Sequence, residues 1–272
     1  MTLGPFDIAP DRIVGLKAAF SEFVNRLLEA QVRSQNIASN LLSVTSEENT
    51  PDGGVDAALS GGVASDWLPD GASAWQFKRA DLQPKAAADE FAKASWAQSL
   101  VRDGATYVLV LGKELPHKLI EARRAAIAKK AVELGVLAQD DVGRIWVYDA
   151  NKLARWASGF PSLALSALAG GPGSVACNFE KWAEGRPHTV AWVADGARQD
   201  AIRAIREAVA APGVVDLRIQ GDSGIGKTRL TLEAMRDAAL APLVVYVRDA
   251  QTAGEELFAH LLEQDRVAIL VV

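Results

Sequence analysis

Residues 221–228 read Gly221-Asp222-Ser223-Gly224-Ile225-Gly226-Lys227-Thr228, and they satisfy G-x-x-x-x-G-K-[ST] at every fixed position. The apolar run Val214–Ile219 before them predicts a buried strand, and Thr228–Ala238 after them predicts a helix. In a strand-to-helix loop of this kind, glycines let successive N–H groups turn in toward phosphate oxygens. The helix N-terminus adds the positive end of its dipole. Gly221, Ser223, Gly224 and Gly226 are therefore expected to line the phosphates of a nucleotide such as ATP. Lys227 is expected to reach the β- and γ-phosphates, and the Thr228 hydroxyl to hold Mg²⁺. The flanking strand and helix patterns count against a fortuitous glycine-rich turn.

Only 44 residues follow Thr228, and they end on Arg266-Val267-Ala268-Ile269-Leu270-Val271-Val272. That run reads as a buried strand of a parallel sheet. This half of the chain resembles the P-loop NTPases, in which such a strand leads to an aspartate that helps hold Mg²⁺; no acid follows here. The expectation is the first part of an NTPase domain, stopping before those acids, preceded by a domain that it controls.

A length of 272 residues, 49% of them hydrophobic, suits about two domains with sizeable cores. The single cysteine, Cys177, excludes an internal disulfide and suits a reducing, cytoplasmic compartment. No apolar run is long enough for a membrane span, and the N-terminus lacks the basic-then-apolar pattern of a secretory signal. A formal net charge of −5 means that any nucleic-acid contact must come from a local basic patch, not from the field of the whole chain.

From the N-terminus, residues 1–12 read as a loose lead-in and Ile13–Val32 as a helix with one apolar stripe. Strands are predicted at Leu41–Thr45, around Val55–Leu59 and at Ala74–Arg79, with a long polar excursion over Ser60–Ser73. Alternation follows: a helix over Lys85–Asp103, a strand at Ala105–Leu111, a helix over Pro116–Leu134, a strand at Arg144–Tyr148 and a short helix over Ala150–Trp156. One helix, three strands and then alternating elements predict an α/β/α sandwich on a mixed sheet. Gly170-Gly171-Pro172-Gly173-Ser174 is the clearest linker signal. The expected division is 1–168, a linker over 169–188 with Trp182 docking it, and 189–272. The last part contains a strand at Thr189–Val193, a helix at Arg198–Val209, a parallel strand at Leu243–Val247 and a helix at Gly254–Glu263.

The first domain carries a second constellation. Asp56 closes Gly53-Gly54-Val55-Asp56, and Trp75-Gln76-Phe77-Lys78 lies on a neighbouring strand. Alternation sends Gln76 and Lys78 to one face and Trp75 and Phe77 to the other. A carboxylate, an amide oxygen and an ammonium then converge at one sheet edge. Hydrolysis of a phosphodiester calls for a hard cation that polarises phosphate and activates water. Oxygen donors from Asp56, Gln76 and the Phe77 backbone carbonyl suit Mg²⁺, and Lys78 suits developing negative charge. The bland alternative is a surface Asp beside an amphipathic strand with a solvated Lys.

The arrangement over residues 13–155 resembles the PD-(D/E)xK nuclease superfamily, in particular its Mrr-type restriction endonucleases. The resemblance implies a restriction-endonuclease-like fold in which Asp56 and Gln76-Phe77-Lys78 are catalytic, Mg²⁺ is the cofactor, and a glutamate from the first helix joins the metal site. That glutamate is Glu22, with Glu29 as competitor. Other features read as ordinary structure. Arg123, Arg124, Lys129 and Lys130 read as the solvated side of a helix before a phosphate-facing patch, the seven Trp as core, and His117 as a helix-start residue.

A nuclease-like domain ahead of a P-loop NTPase resembles the antiviral STAND NTPases of prokaryotes. The resemblance implies a Mg²⁺-dependent endonuclease cutting double-stranded DNA. It further implies activation by ATP-dependent self-association, as a tetramer in the full-length protein, once a C-terminal region absent here senses an invader protein. The alternative is a non-catalytic regulator whose nuclease-like domain only binds partners or nucleic acid.

Overall fold

The apolar residues of the N-terminal strands alternate between two faces, and each face is covered by helices. In this computed structural model, which describes residues 8–45, 53–167, 176–184, 192–193, 195–248 and 267–272, the chain divides into two units, Met1–Gly159 and Phe160–Val272. No helix among the described residues is long and apolar enough to cross a membrane.

The first unit opens with α1 (Pro10–Val14) and α2 (Phe20–Ser34), so the helix expected over Ile13–Val32 is interrupted. A proline-initiated turn ends at Gly15, a poor helix residue, and a 3-10 turn at Lys17–Ala19 precedes α2. Then β1 (Leu42–Val44), β2 (Ala57–Gly62) and β3 (Gly71–Lys78) pair antiparallel in succession. Next come α3 (Pro84–Lys93), α4 (Ser95–Arg102), β4 (Thr106–Leu111), α5 (His117–Glu133), β5 (Ile145–Tyr148) and α6 (Ala150–Ala157). β4 lies parallel to β3, and β5 parallel to β4, giving the order β1-β2-β3-β4-β5. The unit is α/β on a mixed five-stranded sheet.

One face of the sheet buries Ala74, Tyr107, Leu109, Leu111, Ile145 and Val147 against Phe91, Val101, Ile127 and Ala131 from α3, α4 and α5. The opposite face carries Trp75, whose ring lies 6.1 Å from that of Trp156 on α6. The Trp156 indole N–H donates to Gln31 Oε1 of α2 at 2.9 Å, so α2 and α6 cover this side. The excursion after β2 is shorter than the expected Ser60–Ser73, because both strands extend into it. It is anchored rather than purely polar. Ser65 Oγ accepts the N–H groups of Trp67 and Leu68, Leu68 is buried, and Trp67 stacks on Trp156 at 6.0 Å.

The helix expected over Lys85–Asp103 is two helices. At Ala94 (φ −82°, ψ 75°) the backbone leaves the helix, and the Trp96 N–H donates to Gly53 O at 3.1 Å. A tertiary contact overrides a continuous helical pattern.

The second unit contains α7 (Pro161–Ala167), β6 (Ala176–Asn178), α8 (Phe179–Glu184), α9 (Gly196–Val209), α10 (Lys227–Met235), β7 (Val244–Val247) and β8 (Ile269–Val271). β7 is antiparallel to β6 and parallel to β8. Part of the expected linker therefore belongs to this unit as β6 and α8, with Trp182 buried and stacked on Tyr246 at 5.1 Å. Residues 170–174 and the expected helix Gly254–Glu263 lie outside the described residues, as does most of the strand expected at Thr189–Val193; Trp192 and Val193 are not strand. The strand expected at Val214–Ile219 does not form, and Val214 is 75% exposed. Among the described residues no strand lies beside it to take its N–H and C=O groups, and an unpaired strand has little to hold it.

Candidate functional site

The two glycines before Asp56 fix how the β2 edge meets the α3–α4 junction. Gly53 and Gly54 both have positive φ (63° and 80°), and a Cβ on Gly54 would stand 2.3 Å from the Ala94 Cβ. Only glycine meets both demands. From this turn the chain reaches Asp56, directly before β2, its N–H donating to Trp75 O at 2.8 Å. Its carboxylate Oδ2 accepts the Phe77 N–H at 2.7 Å. Asp56 and the Gln76-Phe77-Lys78 segment, separate in sequence, thus meet across β2 and β3.

On the α3 side of the sheet, Gln76 is buried and its Oε1 accepts a hydrogen bond from the Tyr107 hydroxyl. Burial, then the negative charges of Asp56 and Glu90, push the Tyr107 phenol well above its ordinary value. Lys78 Nζ lies 2.9 Å from Glu90 Oε2 of α3, and Lys93 approaches the other carboxylate oxygen at 3.4 Å. The Glu90 carboxyl is held below its ordinary value, chiefly by the hydrogen bond from Lys78, with burial opposing. The local set is therefore Asp56, Gln76, Lys78, Tyr107 and Glu90. Glu90 and Tyr107 were not anticipated from sequence. A tyrosine just before the aliphatic run Val108–Leu111 of β4 needs a partner for its hydroxyl, which is the available signal for Tyr107. For Glu90 the signal is an acid beside the buried Ala87, Ala88 and Phe91.

Among the described residues no three His, Cys, Asp or Glu side chains gather to hold a metal ion. A cation at this edge would rest on a mixed set: the Asp56 carboxylate, the Gln76 amide oxygen and the Phe77 carbonyl. An extended residue's C=O points to the same side as its N–H, and the Phe77 N–H is directed at Asp56. A carboxylate offers about four lone-pair sites, and Mg²⁺ takes oxygen donors while retaining several waters, so the chemistry of this donor set suits that ion.

Glu22 is in the first turn of α2. A Cβ at Gly112 would come within 3.1 Å of the Phe20 ring and 2.8 Å of Arg79 O, so the start of α2 lies near the end of β3. It lies on the Trp75 side, however, while Gln76 bonds Tyr107 on the other. No hydrogen bond or ion pair among the described residues links Glu22 to Asp56, Gln76 or Lys78. Glu29 pairs with Arg33 at 3.7 Å instead.

In the second unit, Gly224 and Gly226 adopt positive φ (83° and 92°), and Gly226 caps the start of α10. Lys227 Nζ folds back onto the carbonyls of Gly221 and Asp222, both at 2.8 Å. The loop residues Gly221–Gly226 and Thr228 are exposed. α9 packs beside α10, and Arg206 donates to the carbonyls of Ala234 and Glu233 at the end of α10, where a cation is favoured.

The basic residues of α5 are not one solvated face. Arg123 is 1% exposed, pairs with Asp81 at 2.7 Å and donates to Leu82 O and Leu119 O; Arg124 donates to Ile145 O. Lys129 and Lys130 pair with Glu133. Of the tryptophans, Trp75, Trp156 and Trp182 are core, whereas Trp96 is 41% exposed. His117 is the first residue of α5. Comparison with protein-family models, curated proteins and solved structures finds no match to this chain.

Proposed function

We propose that the first unit is a Mg²⁺-dependent endonuclease acting on double-stranded DNA, and that the second is the nucleotide-binding start of a STAND-type NTPase that gates it through self-association. The observation that carries this reading is the bond from the Phe77 N–H to the Asp56 carboxylate, which draws the acid and the Gln-x-Lys strand into one edge. Asp56, Gln76 and the Phe77 carbonyl would hold the ion; when bound, it supplies polarisation of the phosphate and a more acidic water. Lys78 donates hydrogen bonds to non-bridging phosphate oxygens, where charge builds during displacement. The Tyr107 hydroxyl fixes the Gln76 amide, so that its oxygen keeps one orientation. In the second unit, Lys227 exchanges its bonds to Gly221 O and Asp222 O for those of the nucleotide phosphates, and Thr228 serves the accompanying Mg²⁺.

The test is plasmid cleavage by the whole chain and by Asp56→Ala and Lys78→Ala, with Mg²⁺, Mn²⁺ or EDTA, over a protein concentration series. The expected result is metal-dependent cutting that rises steeply with concentration and is lost in both variants while their circular dichroism is unchanged. Full cutting by folded Asp56→Ala overturns the metal assignment. No cutting with either metal at any concentration favours a module that only binds.

A further inference from the structure

We infer that Glu90 is the positioning residue for Lys78, holding its ammonium at the β3 end so that it meets the phosphate in one place. The inference rests on the nuclease reading of the first unit and adds a residue that the Asp and Gln-x-Lys pattern does not contain.

A lysine side chain has four rotatable methylene links and loses much rotamer freedom when fixed. Lys78 leaves the sheet at the last residue of β3, with its side chain 34% exposed, so the strand alone does not fix the Nζ. Glu90 does. Its Oε2 stands 2.9 Å from that nitrogen, while Lys93 approaches the other oxygen, Oε1, at 3.4 Å. Glu90 is itself held. Its helix ends at Ala94, wedged under Gly54, and Gln98 Nε2 donates to the Phe91 and Ala92 carbonyls at 2.9 and 2.8 Å, tying α3 to α4. The same glycine turn leads directly to Asp56. The acid that holds Lys78 and the acid beside β2 thus flank one junction, where Gly53 and Gly54 meet Trp96 and Ala94. Both carboxylates act on the Tyr107 hydroxyl, which bonds Gln76. An ammonium bound to one carboxylate retains two N–H donors, enough to bridge to a phosphate oxygen.

The test uses the whole chain with Mg²⁺ and plasmid DNA, comparing wild type, Lys78→Ala, Glu90→Gln, Glu90→Asp and Lys85→Ala. Lys85 pairs with Asp89 and is 89% exposed, so it serves as the control. Glu90→Gln is expected to lower kcat about 10- to 100-fold with little change in KM, as supporting partners of a reactive group generally do, and Glu90→Asp to recover part of that. Brief acetylation with acetic anhydride, read by mass spectrometry, should modify Lys78 faster in Glu90→Gln than in wild type and Lys85 equally in both. Wild-type kcat in folded Glu90→Gln, with Lys78→Ala inactive, overturns the positioning role alone. Equal cutting by wild type and Lys78→Ala, or none by either, overturns the nuclease reading and this role with it. Higher kcat in Glu90→Gln also overturns the role, since Glu90 would then restrain Lys78 from its work.

Discussion

Gly54 shows how one residue supports a site that it does not chemically join. A methyl group there meets Ala94 at a separation no real contact allows, and the φ of 80° is strained for any L side chain. Gly54→Ala is expected to destabilise the first unit by about 2–5 kcal/mol, summing overpacking and backbone strain. A thermal melt checks it. Tyr107→Phe, by contrast, removes one buried hydrogen bond and leaves Gln76 Oε1 short of a donor, for a loss of about 1–2 kcal/mol. Titration of Glu90 gives a signed expectation. Its folded carboxyl lies below the ordinary 4.5, so the pair's stabilisation is complete above that pH and is lost as pH falls through the lowered value. Urea melts of wild type and Glu90→Gln should differ at neutral pH and converge as the pH falls below the ordinary carboxylate range.

At the scale of elements, Arg123 fastens α5 to the segment after β3. It is buried, yet it bonds Asp81 Oδ1 and two backbone carbonyls, so truncation removes three hydrogen bonds at once. Arg123→Ala is expected to cost about 3 kcal/mol, toward the low end for a broken buried pair because Asp81 is partly exposed. The urea midpoint measures it. Most strands and helices of the first unit were legible in the sequence, since alternation and helical periodicity report which face is buried. The Asp56 and Gln-x-Lys meeting was legible for the same reason. The break at Ala94, the anchored Trp67–Leu68 excursion and the burial of Arg123 were not, because each is decided by a contact from a distant part of the chain. Glu90 escaped notice on the same ground. In Val214–Ile219 the pattern reads as a strand, but a strand also needs a neighbour, which local sequence does not report.

At the scale of the molecule, the two units have separate cores: Phe91, Tyr107 and Ile127 belong to one, and Cys177, Trp182, Leu232 and Met235 to the other. ATP with Mg²⁺ is expected to raise the thermal midpoint of the chain, by the mass-action term for a ligand of the folded state, and Lys227→Ala to remove that rise. Calorimetry with and without nucleotide measures it.

The approach of Gly54 to Ala94 also sets an order in time. During synthesis Asp56 leaves the ribosome well before α3 exists, and the turn that carries it has nothing to rest against. Contacts far apart in sequence close late, after the loop between them has been gathered in. The edge that brings Asp56, Lys78 and Glu90 together is therefore finished only when α3, α4 and β4 have all emerged and docked. A nascent or locally unfolded chain holds the separate residues without their arrangement.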